Sequence, residues 1–436
     1  MDIVTGQPSA ESRIDFEART YATVAWRIIP LLFLCYVVSY LDRVNVGFAK
    51  LQMLNDLRFS ESVYGLGAGI FFLGYFVFEV PSNLIMYRVG ARKWIARIMI
   101  SWGVVSAAML FVTTPTMFYV MRLLLGVAEA GFFPGMILYL TYWFPAERRG
   151  GMTALFMTGI PISGVVGGPL SGWILQSMSG ALGLAGWQWL FVIEGLPSII
   201  AGLLVLGMLN DRISDVTWLT QEQKAMLQAN IDSDEARKGH ASALQAFRSA
   251  KVWLLALIYF CLIMGLYGVS FWLPTIIKGL GVKNAASVGL LYAVPYALAT
   301  IAMILVGRSA DARKERRWHI AVPCILGAIG LIASVSFGTS PVLAIAALSL
   351  GTVGILSAIP LFWSCPTAFL SGAAAAGGIA LINSVGNLAG FASPYIVGLI
   401  KDFTHSTDLG MYVLAGCLLT AAVLVVAGLP ARLVNK

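Results

Sequence analysis

The sequence predicts an all-α membrane protein whose twelve transmembrane helices form two pseudo-symmetric six-helix bundles. Three observations carry that expectation: a composition too apolar for water, a ladder of apolar runs long enough to cross a bilayer, and an internal repeat of about half the chain. Of 436 residues, 58% are hydrophobic and only 11% are charged, where a soluble domain carries roughly 25% charged residues. So little polar surface cannot coat a soluble body of this size, and a lipid bilayer is the solvent that fits. The net charge of +8 does not indicate nucleic acid, because the basic residues form no stripe with interleaved aromatics. Cys35, Cys261, Cys324, Cys365 and Cys417 each lie in an apolar run. Such an odd, scattered set reads as small core residues, not as a disulfide framework. The N-terminal stretch before Trp26 is polar and mixed in charge, so the first apolar segment is expected to act as targeting signal and span together.

The apolar runs place spans at 27–48, 62–86, 95–113, 117–140, 152–176 and 187–208, then at 252–276, 287–307, 319–337, 341–369, 374–400 and 409–430. Most are far longer than the helices of about 11 residues usual in soluble proteins. A polar stretch separates the two sets, which gives an N-terminal bundle (1–208), a cytoplasmic linker (209–251) and a C-terminal bundle (252–436). Placing the N-terminus inside puts 22 of the 29 Lys and Arg on the cytoplasmic face and five outside: Lys50, Arg58, Lys278, Lys283 and Lys401. Positively charged loops stay on the cytoplasmic side, so both termini and the linker are expected there, in a cytoplasmic (inner) membrane. The linker's mixed charge reads as surface helix.

The chain repeats itself at an offset of 225 or 226 residues: Pro115 with Pro341, Gly126 with Gly351, Pro134 with Pro360, and Pro169 with Pro394. Two six-helix halves in parallel orientation follow, with a site expected between them near the membrane midplane.

Several motifs carry a resemblance. Gly307, Asp311, Arg316 and Arg317 fit GxxxDxxxxRR after the second span of the second half. In the first half Asn83 and Tyr87 stand where Gly and Asp are expected, while Arg88, Gly90, Arg92 and Lys93 fit. This loop pair resembles the gating signature of the major facilitator superfamily. SYLDRVNVGFA (39–49), FEVPSN (78–83), RLLLGVAEAGFFPG (122–135), WQWLFVIEG (187–195) and INSVGNLAG (382–390) are similar to the anion:cation symporter family, whose members carry tartrate, phthalate, 4-hydroxyphenylacetate and sugar acids. The resemblance implies the major facilitator fold and proton-coupled import of a small organic anion by a monomer with no cofactor. It also implies that Arg43 holds the substrate carboxylate, that Asp42 and Glu129 carry the coupled protons, and that Tyr40 and Tyr75 line the cavity.

The charges point the same way independently. A charge at the bilayer centre costs about 3 kcal/mol even on lenient scales, so Asp42, Arg43, Arg122 and Glu129 are functional candidates by their position. At 1.5 Å per residue, Asp42 on the outward-rising first helix and Arg122 on the descending fourth fall at similar depth, where they are able to pair. Glu129 lies two turns beyond Arg122 on the same helix face. The positions equivalent to the four in the other half are Tyr267, Gly268, Ala347 and Gly354, so the charges are not a demand of the repeat. Arg cannot give up its proton, which leaves Asp42 and Glu129 to handle protons. His240, His319 and His405 all fall in or beside loops. A bidentate Arg–carboxylate contact suits an organic acid better than a sugar.

The partner half offers neutral polar groups: Trp363 and Ser364 in a Pro-flanked break of the tenth span, and Asn383 and Asn387 four apart on one face of the eleventh. The Asn pair reads equally as substrate ligands or as interhelical bonds. Glu79 and Glu194 read as partners of loop amides or arginines. The absence of GxxxxGK[ST], HExxH, CxxC and GxSxG disfavours an ATP-driven pump or an intramembrane enzyme. Two competing functions are an exchanger or drug/proton antiporter on the same fold, to which the Gly- and Pro-rich fifth span (GIPISGVVGGPLSGW, 159–173) lends some resemblance, and a transporter-like sensor.

Overall fold

In lipid every backbone N–H and C=O must be satisfied within the chain, so apolar runs of this length can only be helices. The computed structural model, which describes residues 10–236, 248–369 and 372–435, is built of helices joined by short turns. Among the described residues, eleven segments are long and apolar enough to cross a membrane: Ile14–Leu57, Glu61–Val89, Ala91–Phe111, Pro115–Thr141, Glu147–Ser177, Gly186–Met208, Ala250–Gly279, Ala285–Arg313, Arg317–Ser336, Pro341–Pro366 and Asp408–Gly428. The 33-residue helix Gly372–Thr404 falls between the last two, and the twelve are numbered here in chain order as spans. Large apolar side chains such as Val77, Val80, Leu84, Ile301, Leu305 and Val342 stand exposed along them. In water such stripes would be aggregation-prone; here they are the lipid-facing surface.

The first span differs from its expected bounds, 27–48, because its helix starts at Ala10. The polar residues ahead of the membrane are held by the linker helix Gln221–Ala236. Asn230 donates to the Tyr21 hydroxyl (3.1 Å), Gln223 donates to Thr20 (3.3 Å), and the Arg27 guanidinium lies 5.3 Å from the Trp218 ring. Three spans are also broken where the apolar pattern runs on: the first at Asn45, the fourth at Ala130–Gly131 and the fifth at Thr158.

Spans one to six pack among themselves, as do seven to twelve. The halves meet chiefly where span five lies against span eight and span two against span eleven. Those two seams are equivalent under the repeat. Both are made of glycine. A Cβ on Gly168 would stand 2.7 Å from the Gly289 carbonyl oxygen, and one on Gly69 would stand 2.6 Å from that of Phe391. Backbones this close exclude any larger residue, as at small-residue helix contacts in membranes generally. Close packing thus accounts for the fifth-span glycines that bear a partial antiporter resemblance: Gly164, Gly168 and Gly172 lie against span eight, and Gly159 and Gly167 against Tyr36 and Leu41 of span one.

Replacing Gly168 by Val overfills this seam, and overpacking of a tight interface costs about 1–3 kcal/mol. G168V is therefore expected to lower the unfolding midpoint in detergent by several degrees. G207V, at a position where a Cβ meets nothing within 4 Å, should leave it within about a degree.

Candidate transport site

Two of the chain breaks place the central charges. Arg43 is the penultimate residue of the first-span segment Ala10–Val44, just before the break at Asn45. There its cation complements the carbonyl-rich end of the segment. Glu129 ends the fourth-span segment Pro115–Glu129, and Gly131 turns the chain with φ +82° before Phe132–Thr141 begins. The two side chains form an ion pair, with Arg43 donating to a Glu129 carboxylate oxygen. Ser39 donates to the same oxygen at 3.1 Å.

The second half completes the site through Tyr267, whose hydroxyl accepts from Arg43 Nη1 at 2.9 Å. The Arg43 guanidinium carbon lies 5.5 Å from the ring centroids of Phe71 and Tyr75 and 5.9 Å from that of Tyr40. Tyr40 in turn stacks on Tyr267. This is an aromatic cage around one cation, with cation–π attraction on several sides. Arg43 Nε and the Tyr40 hydroxyl are buried without a hydrogen-bond partner. Donor capacity is thus left over at the centre of the protein, where buried polar groups are normally satisfied.

The pairing of Asp42 with Arg122 that similar depth allows does not form. Successive residues on a helix point about 100° apart, so Asp42 faces away from Arg43 into the first half. It accepts there from Trp102 Nε1 (2.7 Å), Ser106 (2.9 Å), Ser198 (2.5 Å) and Asn45 (3.3 Å). Arg122 bonds to the carbonyls of Gly67 (3.2 Å) and Ala68 (3.3 Å) on span two, with its guanidinium 5.2 Å from the Phe71 ring. The azimuth of each side chain, which depth cannot give, decides the partner.

Trp363 caps the break in the tenth span, its ring edge-on to Tyr259 at 4.8 Å. Ser364 donates to the Leu361 carbonyl of its own chain at 2.7 Å. Asn383 donates to Glu79 across the two halves at 2.8 Å, and Asn387 also addresses that carboxyl. Glu79 therefore partners neither a loop amide nor an arginine, as the sequence had suggested, but the opposite bundle. Glu194 likewise accepts from Ser171 of span five (2.6 Å) rather than from a loop or a cation.

The loops of the signature motif are held by residues that the motif does not contain. In the first half Asp211, at the start of the linker, accepts from the Arg92 backbone N–H at 2.8 Å. Gly90, with φ +98°, leaves its carboxylate room: a Cβ there would stand 2.7 Å from it. Arg92 Nε also donates to the Leu206 carbonyl, while Arg88 is exposed. In the second half Arg316 pairs with Asp311. Asn435 near the C-terminus accepts from the Arg316 and Arg317 backbone N–H groups at 2.9 and 3.3 Å. Glu315 accepts from the Trp318 and His319 N–H groups and from the His319 ring. Partial burial pushes its carboxyl up, but these donors outweigh that and hold it below the usual range. His405 sits in a turn with φ +56°, and His240 lies outside the described residues.

Sequence reasoning missed a second charged cluster, on the membrane face opposite the linker. Glu61 pairs with Lys50 of its own half (2.6 Å) and with Lys401 of the other (2.7 Å). The Lys50 ammonium lies 3.4 Å from the Trp272 ring centroid. Asp402 accepts from the backbone N–H groups of Glu61 and Ser62, and Tyr64 donates to the Phe271 carbonyl. These bonds tie the halves together on that face. Tyr267 was missed as well, although the 225-residue offset from Asp42 pointed at it.

Comparison with known proteins agrees with this architecture. The family model of the Major Facilitator Superfamily matches residues 32–394. A protein of Pseudomonas putida named as the metabolite transport protein NicT is 47% identical, over 99% of this chain and all of its own. One of Agrobacterium vitis named as a tartrate transporter is 51% identical over 94% and 91% of the two chains. A quinolone resistance transporter of Acinetobacter baumannii is 43% identical over 94% and 95%. This chain belongs to the major facilitator superfamily. It is a multi-pass membrane transporter, and not an enzyme.

Two outcomes follow from the geometry. D42N turns a four-way acceptor partly into a donor, leaves buried groups mismatched at about 1–3 kcal/mol, and should lower the thermal unfolding midpoint more than E129Q does. E61Q removes the charge that joins Lys50 to Lys401, and should raise thiol-reagent labelling of a cysteine placed at Ser62, read by mass spectrometry.

Proposed function

We propose that the protein imports a small organic anion, a hydroxylated or aromatic carboxylate, together with protons, by alternating access of its two halves around Arg43. The observation that carries this reading is the Arg43–Glu129 pair with unused guanidinium donors inside an aromatic cage. A buried cation stripped of its partner costs about 3–5 kcal/mol, so Arg43 needs either Glu129 or a substrate carboxylate. Protonation of Glu129 frees the guanidinium for bidentate capture of the carboxylate. Release of the anion lets Glu129 lose its proton and reclaim Arg43. The state with neither partner is then disfavoured by about 100- to 4000-fold, which couples the two fluxes. Asp42 is assigned the second proton. Its carboxylate ties spans one, three and six, so its charge is linked to the packing of the first half.

In this reading Arg122 holds span four to span two and supplies positive potential, while Tyr40, Tyr75, Trp363, Ser364, Asn383 and Asn387 shape the cavity. The 92-region and 316-region loops gate the linker side. The excess of Lys and Arg supports placing that side and both termini in the cytoplasm, with the protein acting as a monomer in the inner membrane. The relatives named for tartrate transport favour a carboxylate substrate. The relative named for quinolone resistance favours a second reading, proton-driven export of an aromatic drug.

One experiment separates them: uptake of a labelled carboxylate panel into proteoliposomes, with and without an inward proton gradient. Symport predicts accumulation of one acid only with the gradient. It also predicts loss of at least about tenfold in R43K, where bidentate contact is impossible, and uptake by E129Q that responds less to the gradient than the wild type, with only the Asp42 proton left. Efflux driven by the inward gradient, or movement only against trapped internal anion, would favour the export or exchange reading.

A further inference from the structure

Glu79 stands apart from the groups used above. It is only 7% exposed, at membrane depth, and among the described residues no lysine or arginine bonds to it. One carboxylate oxygen accepts from Asn383 of the opposite half, and Asn387 lies within reach of the carboxyl; the other oxygen is buried with no hydrogen bond of normal geometry. A buried carboxylate oxygen left unpaired is expensive, and each such group in a native protein calls for an explanation. Glu79 is one helical turn from Tyr75, on the same face of span two, or about 6 Å along the axis. Tyr75 lies against the Arg43 guanidinium. The groups within electrostatic or hydrogen-bonding reach of Glu79 are Arg43, Tyr75, Tyr259, Asn383 and Asn387. The first two belong to the cage and the other three come from the second half.

We propose that Glu79, steadied by Asn383, is a specificity-determining residue that accepts a hydrogen bond from a hydroxyl group on the same organic acid whose carboxylate Arg43 takes. The juxtaposition defines a two-ended site. A cationic donor set binds a carboxylate at one end, and at the other an acceptor with a spare oxygen lies one helical turn along span two from Tyr75, whose ring flanks that donor set at 5.5 Å. A ligand filling both ends is a hydroxy acid of a few carbons. An acid of the same skeleton without the hydroxyl leaves the Glu79 oxygen unpaired, and sites built around a hydroxyl reject such analogues strongly. Because the bond spans the halves through Asn383, the right ligand also bridges them. This inference rests on the organic-anion reading and narrows it.

The test compares matched acids in proteoliposomes: tartrate against succinate, and 4-hydroxyphenylacetate against phenylacetate, for wild type, E79A, E79Q and N383A. The wild type is expected to favour the hydroxylated member of at least one pair by about tenfold or more in kcat/KM. E79A should bring that ratio to within about threefold of unity by weakening the hydroxylated acid alone, and N383A should weaken it partly. E79Q, which keeps one acceptor oxygen, should fall between wild type and E79A, and the response to the proton gradient should persist in all three variants. An unchanged ratio in E79A, or equal loss of both acids in monodisperse E79A and E79Q, would overturn the inference and leave Glu79 a structural bridge. A wild type that moves both members of each pair equally overturns this inference alone. A wild type that moves no carboxylate overturns the organic-anion reading, and this inference with it.

Discussion

The structure turns on one ion pair placed where lipid leaves it no alternative. Arg43 and Glu129 sit at the ends of two broken helix segments, at most 9% exposed, in surroundings where a lone charge is far costlier than in water. Each break frees backbone groups and redirects the chain. Each therefore needs a local reason in the sequence: Asn45 for the first, Gly131 for the second. The aromatic rings around the guanidinium exclude solvent and keep the cation attractive to an anion. In the proposed reading, charge at this point is held by one partner at a time, and that exchange couples the two fluxes.

The frame around the pair is symmetric while its chemistry is not. The seams between spans five and eight and between spans two and eleven are equivalent under the repeat, and both are built from backbone-to-backbone contact at glycine. Backbone contact of this kind leaves room only for glycine on one side, and the rings of Tyr292 and Tyr296 at one seam and of Phe72 and Phe391 at the other pack directly on those glycines. The bonds that do cross the halves gather toward the face opposite the linker: Glu61 with Lys401, Asp402 with the start of span two, Tyr64 with the Phe271 carbonyl. Below them lie Arg43–Tyr267 and then Glu79–Asn383. The first half supplies the charges of the central site and the second half supplies neutral polar groups, the Tyr267 acceptor and the Asn383 donor, and rings. A ligand held between them thus feels a field fixed to one body while it bridges to the other.

Much of this was legible in the sequence because bilayer thickness and backbone satisfaction leave few solutions. The twelve spans, the two halves and the four buried charges all follow from run length, Lys and Arg placement and the 225-residue offset. The pairing of those charges was not legible. Run length gives depth, but the direction of a side chain depends on helix rotation and on breaks, which the unbroken apolar patterns around Asn45 and Thr158 conceal. Depth thus allows Asp42 to match Arg122 where it in fact faces Trp102, Ser106 and Ser198, and position alone suggests a loop amide or an arginine for Glu79, which reaches Asn383. Asp211 and Asn435 were invisible for another reason: a motif records its own residues, not the distant carboxylate or amide that caps its loop. Tyr267 was within reach, since the repeat itself pairs its position with Asp42.

The most direct measurement of the central claim is proton uptake on anion binding by the purified protein in weakly buffered detergent, followed with a pH-indicator dye. If Glu129 and the substrate carboxylate compete for Arg43, adding a transported acid draws protons from solution in the wild type, and E129Q abolishes that uptake while still binding the acid. Binding with no proton uptake in the wild type, or with the same uptake in E129Q, would contradict the account.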